Sequence, residues 1–73
     1  MKAPNEENFS VLRRARATAS NRGESFIVFC SGLAVFEHED KRAAQDFARG
    51  QVAGGKRRDS VVIRSLKLPS TRI

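Results

Sequence analysis

Residues 25–37 read SFIVFCSGLAVFE, two runs rich in β-branched and aromatic residues split by Ser31-Gly32. Runs of this kind joined by a short glycine-containing link specify a β-hairpin. In a chain of 73 residues, one hairpin already limits what else can be built. The first run, Ser25 to Cys30, sets apolar side chains on both faces, as a strand interior to a sheet requires. With a two-residue link, Val28 faces Val35 and Ile27 faces Phe36. Ser31 suits a positive φ less well than asparagine does, so a register one residue away stays open. That shift would exchange the inward and outward sets.

After the hairpin, HEDKRAAQDFARG (residues 38–50) has acidic residues at its start, helix formers inside, and Arg49-Gly50 where a last turn belongs. Asp40 is the predicted N-cap. Ala44, Phe47 and Ala48 share one helical face, a stripe narrow enough to lie on the hairpin with Phe47 as anchor. Val52 extends that stripe if the helix passes Gly50, and Ala53-Gly54-Gly55 ends it in either case. Residues 60–68, SVVIRSLKL, form a second β-branched run that Pro69 closes, because proline donates no ladder hydrogen bond.

The amino-terminal PNEENFSVLRRARATASNRG has Pro4 and two glutamates at its start and Ala and Arg through its middle, which favours helix. Val11, Arg13, Ala15 and Ala17 also alternate acceptably as a strand. Helix is the reading adopted. The expected fold class is therefore α+β: a single small domain over residues 1–73 with a ββαβ core, a helical amino-terminal segment, and loose tails at 1–4 and 70–73.

Hydrophobic residues make up 40% of the chain and charged residues 30%, a balance that suits a folded soluble domain. Cys30 is the single cysteine, so neither an internal disulfide nor a cysteine zinc site is expected, and a reducing cytoplasm is the expected location. The start turns polar and acidic at once, and no run approaches the roughly 18 apolar residues of a membrane span. Asn8-Phe9-Ser10 matches a glycosylation sequon by chance.

Fourteen Lys and Arg oppose eight Asp and Glu, for a formal net charge of +6. Residues 1–23 hold five basic and two acidic side chains, residues 24–47 two and five, and residues 48–73 seven and one. Cationic flanks around an acidic middle favour acidic partners and speed encounter with them.

Gly50 to Lys56, GQVAGGK, fits seven positions of a phosphate-binding loop. The eighth is Arg57, which lacks the hydroxyl for magnesium, and the order helix, loop, strand is the reverse of what the motif needs. Cys30 and His38 lack the partners that metal binding or thiol catalysis demands. Glu37, Glu39 and Asp40 are explained by a helix cap and its dipole. The expectation is a protein that is not an enzyme and uses no cofactor.

Two basic clusters remain, Arg13-Arg14-Arg16 and Lys56-Arg57-Arg58, and Arg64 in the last strand joins them as a contact candidate. Arginine dominates, and its guanidinium fork pairs bidentately with phosphate or carboxylate. RNA or DNA backbone contact is one expectation. Base stacking is disfavoured, because the chain has no Trp or Tyr and every phenylalanine but Phe9 has core work to do.

The stretch ESFIVFCSGLAVFEHEDKRAAQDFARG (residues 24–50), with the chain length and charge layout, resembles the small transcription regulators of lytic Xanthomonas phages. The resemblance implies a non-enzymatic phage protein, monomeric when free, acting in the cytoplasm of the bacterial host. It would dock on host RNA polymerase near the RNA exit channel, at the amino-terminal part of the β′ subunit and the β flap. Suppressed initiation and antitermination would follow. The competing expectation is a small basic nucleic-acid-binding domain that acts through phosphate contacts.

Overall fold

The computed structural model describes residues 4–68. Its elements, in order, are α1 (Pro4–Arg22), β1 (Glu24–Cys30), β2 (Leu33–His38), α2 (Lys41–Ala53), a 3-10 turn (Arg58–Ser60) and β3 (Val61–Lys67). The fold is α+β, a three-stranded antiparallel sheet in the order β2-β1-β3. β1 is the interior strand, which is why its burial runs along both faces. The helix α2 leaves one edge strand and delivers the chain to the other, so β2, α2 and β3 form a split β-α-β unit around β1.

α1 has acidic residues in its first turn and buries Val11, Ala15 and Ala19, spaced four apart and at most 1% exposed. This stripe of small side chains lets the helix come close to the sheet. The amide of Gly23, at φ +95°, donates to the Ala19 carbonyl at 2.8 Å and closes the helix in the left-handed turn that glycine favours. The helix starts at Pro4, inside the stretch expected to be a loose tail. Residues 70–73 lie outside the described residues, as does Pro69.

The hairpin link has the predicted length but a different register. Ser31 (φ +52°) and Gly32 (φ +85°) both adopt the positive φ of the tight turn that matches strand twist. Cys30 then pairs with Leu33 and Phe29 with Ala34, after which a bulge shifts the ladder. Val28 faces Phe36 and Ile27 faces Glu37, in place of the expected Val35 and Phe36. The extra residue, Val35, restores Phe36 to the face that carries Val28. A left-handed serine is strained by roughly 1 kcal/mol relative to residues that tolerate this region. We therefore expect Ser31→Asn to raise stability by about 0.5 kcal/mol, read as a higher denaturation midpoint with an unchanged denaturant slope.

Side-chain alternation sorts the sheet into two faces. Val11 and Ala15 of α1 pack with Ile27 and Ala34, with Leu12, Phe29 and Leu66 at the margin. On the opposite face Phe36 stacks on Phe47 of α2, with ring centroids 4.3 Å apart and planes within 5°. The Cys30 thiol lies 3.9 Å from the Gln51 amide oxygen on that same face. α2 begins as expected, with Asp40 Oδ1 accepting from the Arg42 amide at 3.0 Å. It runs through Gly50 to Ala53, so Val52 does extend the stripe, and Gly54 and Gly55 donate to the Gly50 and Val52 carbonyls at its end.

A long-range polar tie fixes α1 on the sheet. Asn8 Oδ1 accepts the amide of Ala34, which is fully buried, at 2.7 Å. Losing that acceptor leaves a buried N–H unpaired, a penalty of about 1–3 kcal/mol. Asn8→Ala should lower the unfolding free energy by that amount and speed exchange of the Ala34 amide, while Asn8→Asp should keep most of the protection.

Candidate functional site

α1 lies chiefly over β2 and β1 and meets β3 only at the margin. The α1-side face of β3 is therefore partly uncovered, and an open groove of about 520 Å³ runs between helix and strand, lined by Phe9, Leu12, Arg13, Arg16, Ile27 and Leu66. Phe9 is 65% exposed and Val62 43%, the two exposed large apolar side chains among the described residues. Helical geometry explains the lining: positions 9, 12, 13 and 16 recur at the spacing of one helical face.

Arg64 belongs to the same face of the sheet. Its cross-strand partner is Ile27, and Val62 and Leu66 flank it two residues away on either side. Arg13 and Arg16 from the helix line the groove, and Arg64 stands on the same sheet face beside two of its lining residues, Ile27 and Leu66, although some fifty positions of chain separate it from the helix pair. Among the described residues the ion pairs are Arg22–Glu39, Arg49–Asp46, Arg57–Asp59 and Lys67–Glu24, and none of them engages Arg13, Arg16 or Arg64.

The other predicted contacts go elsewhere. Arg14 lines a shallow cavity on the opposite flank of α1 with Thr18, Arg22, Glu37 and Glu39, so its surroundings are already acidic. Arg58 borders a second groove of about 810 Å³ on the α2 side of β3, with Ala48, Arg49, Val52, Val61 and Ile63. Lys56 and Arg57 are exposed in the link after α2, where Arg57 lies 3.7 Å from Asp59. The two basic clusters therefore form no single patch. Arg13 and Arg16 sit on the α1 face of the sheet and Arg58 on the α2 face.

The residues with chemical potential are occupied in local structure. Cys30 is buried at 6% exposure, and His38 Nδ1 accepts the Asp40 amide at 2.9 Å beside the helix cap. Ser25, fully buried, donates to Glu37 Oε1 at 3.0 Å, which gives the half-buried carboxylate a partner under α1. Among the described residues no three His, Cys, Asp or Glu side chains gather as a metal site, and no helix is long and apolar enough to cross a membrane.

The sequence assigns Phe9 no core role but does not place it in a groove, nor does it mark Leu12 and Leu66 as fellow lining residues. The signal available was weak: an aromatic residue on an otherwise polar stretch of α1. No protein-family model, curated protein or solved structure matches the chain.

Proposed function

We propose that this chain is a non-catalytic docking protein that binds bacterial RNA polymerase near the RNA exit channel, at the amino-terminal part of the β′ subunit and the β flap, blocking initiation and favouring read-through of terminators. The observation that carries the docking mode is the groove between α1 and β3. There, the exposed Phe9 and the half-buried Leu12 and Leu66 lie beside Arg13 and Arg16, with Arg64 on the same face of the sheet, and none of the three arginines has a carboxylate partner among the described residues. A centre that sheds water and a cationic rim that steers encounter are the two parts a protein interface needs. The choice of polymerase rests on the resemblance to lytic-phage regulators. Acidic protein surface beside emerging RNA suits a cationic wedge.

The apolar centre also separates this reading from phosphate binding by charge alone. Affinity capture from a bacterial lysate, washed at low and then high salt, tests it. Polymerase β and β′ subunits should survive the high-salt wash, because desolvated apolar contact is insensitive to counterions. Recovery of nucleic acid alone, released as salt rises, would identify a phosphate binder instead.

A further inference from the structure

The two edges of the sheet are treated differently. β2 is blunted twice: a bulge breaks its ladder beside Val35, and the Asn8 side chain takes the Ala34 amide. β3 has neither device. All seven of its residues pair with β1 in one continuous register, Val61 with Cys30 through Lys67 with Glu24, and its other edge is free among the described residues. A seven-residue strand offers roughly 23 Å of unpaired backbone. Each face of this edge carries incompletely buried apolar side chains, Val62 and Leu66 on the α1 side and Val61 and Ile63 on the α2 side.

Edge strands left in this state template a further strand unless charge forbids it. Here the charge selects. Arg64 stands at the centre of β3, so antiparallel pairing of two copies about that centre would set Arg64 against itself, and like charges directly opposite destabilise a sheet. Arg13 and Arg16 line the α1 groove with Arg64 on the same sheet face, and Arg58 lines the α2 groove beside Arg49, which Asp46 already pairs, so cations flank both sides of the edge. We propose that the free edge of β3 receives an extended acidic segment of a partner protein, which adds as a fourth strand with alternate apolar side chains in the two grooves and its carboxylates against these arginines. This inference rests on the docking reading above and names the kind of segment that would be docked. Main-chain hydrogen bonds would supply affinity, and the grooves and arginines would supply selection.

The probe is a capped heptapeptide of sequence Val-Val-Glu-Glu-Val-Val-Glu, which sets both valine and glutamate on each face of an added strand, added to the isotopically labelled chain and followed by amide exchange and chemical shift. Alternate amides of Val61–Lys67, those on the free edge, exchange fast in the free protein and should slow by about tenfold or more when the peptide binds, with shift changes at Phe9 and Leu12. N-methylation of the peptide on the edge that faces β3 should abolish binding, and lysine in place of glutamate should weaken it by at least about tenfold. The proposal is overturned by equal binding of the N-methylated peptide, by shifts confined to Lys56–Arg58, or by no binding at all. Free-edge amides already protected in the unbound chain would also overturn it. If that protection depends on concentration, a second copy is the occupant; if it vanishes when residues 69–73 are deleted, the chain's own end is. Polymerase capture that persists while the peptide leaves β3 unchanged would reject strand addition alone. Failed capture with β3 protected would reject the polymerase reading alone.

Discussion

Phe47→Ala should lower the unfolding free energy by about 3 kcal/mol and the thermal midpoint by roughly 12–24 °C. Phe47 is the largest side chain that α2 lays on the sheet, and its ring stacks on Phe36. Since Phe47 keeps part of its surface in water, the low end of the range for aromatic truncation applies. The stacked pair adds about 1 kcal/mol beyond area burial, so truncating either ring should remove the same coupling. In a domain of this size total stability is roughly 4–11 kcal/mol, so the loss is a large fraction of the whole. Phe47→Leu should recover most of the burial and none of the stacking. An unchanged midpoint for Phe47→Ala would contradict the placement of α2 on the Phe36 face.

Reversing Arg13, Arg16 and Arg64 together to glutamate should weaken binding to purified polymerase by on the order of 100-fold, about 2.7 kcal/mol. The circular dichroism spectrum and thermal midpoint should change little, because these side chains make no ion pair among the described residues. The loss is large because charges that border an apolar centre act where water is excluded, and reversal leaves repulsion in place of attraction. Reversing Lys56, Arg57 and Arg58 should cost less, on the order of fivefold, as expected for exposed charges that act mainly on the encounter rate. Equal losses for the two triples would show that net charge, and not the groove, governs capture.

Much of the fold is legible in the chain because local chemistry and tertiary structure agree. The β-branched run at Ser25–Cys30, the Asp40 cap and the Gly54-Gly55 terminator each specify by their own chemistry the element found there. The bulge at Val35 is not legible in the same way. No residue demands it, and it follows from placing both Ala34 and Phe36 on their proper faces while the turn stays two residues long. The α1 sequence is compatible with strand as well as helix because its buried stripe, Val11, Ala15 and Ala19, is small and also falls on one face of a two-residue alternation.

The candidate site is less legible, for a geometric reason. Arg13, Arg14 and Arg16 look like one cluster in sequence, but each helical residue turns by about 100°, which carries Arg14 to the acidic flank and keeps Arg13 with Arg16. Arg64 joins them only because β3 pairs with β1 and returns beside α1. Phe9 becomes part of a groove for the same reason: α1 leans towards β2 and leaves the β3 side open. These are consequences of strand order and helix placement, which no local window of residues encodes.

The most direct test is selective amide broadening in the isotopically labelled chain as unlabelled core RNA polymerase is titrated in. Broadening should concentrate at Phe9, Leu12, Arg13, Arg16 and along Val61–Lys67, and should persist at raised salt. Uniform resonances at every ratio, or broadening confined to Lys56–Arg58 and removed by salt, would contradict this docking mode.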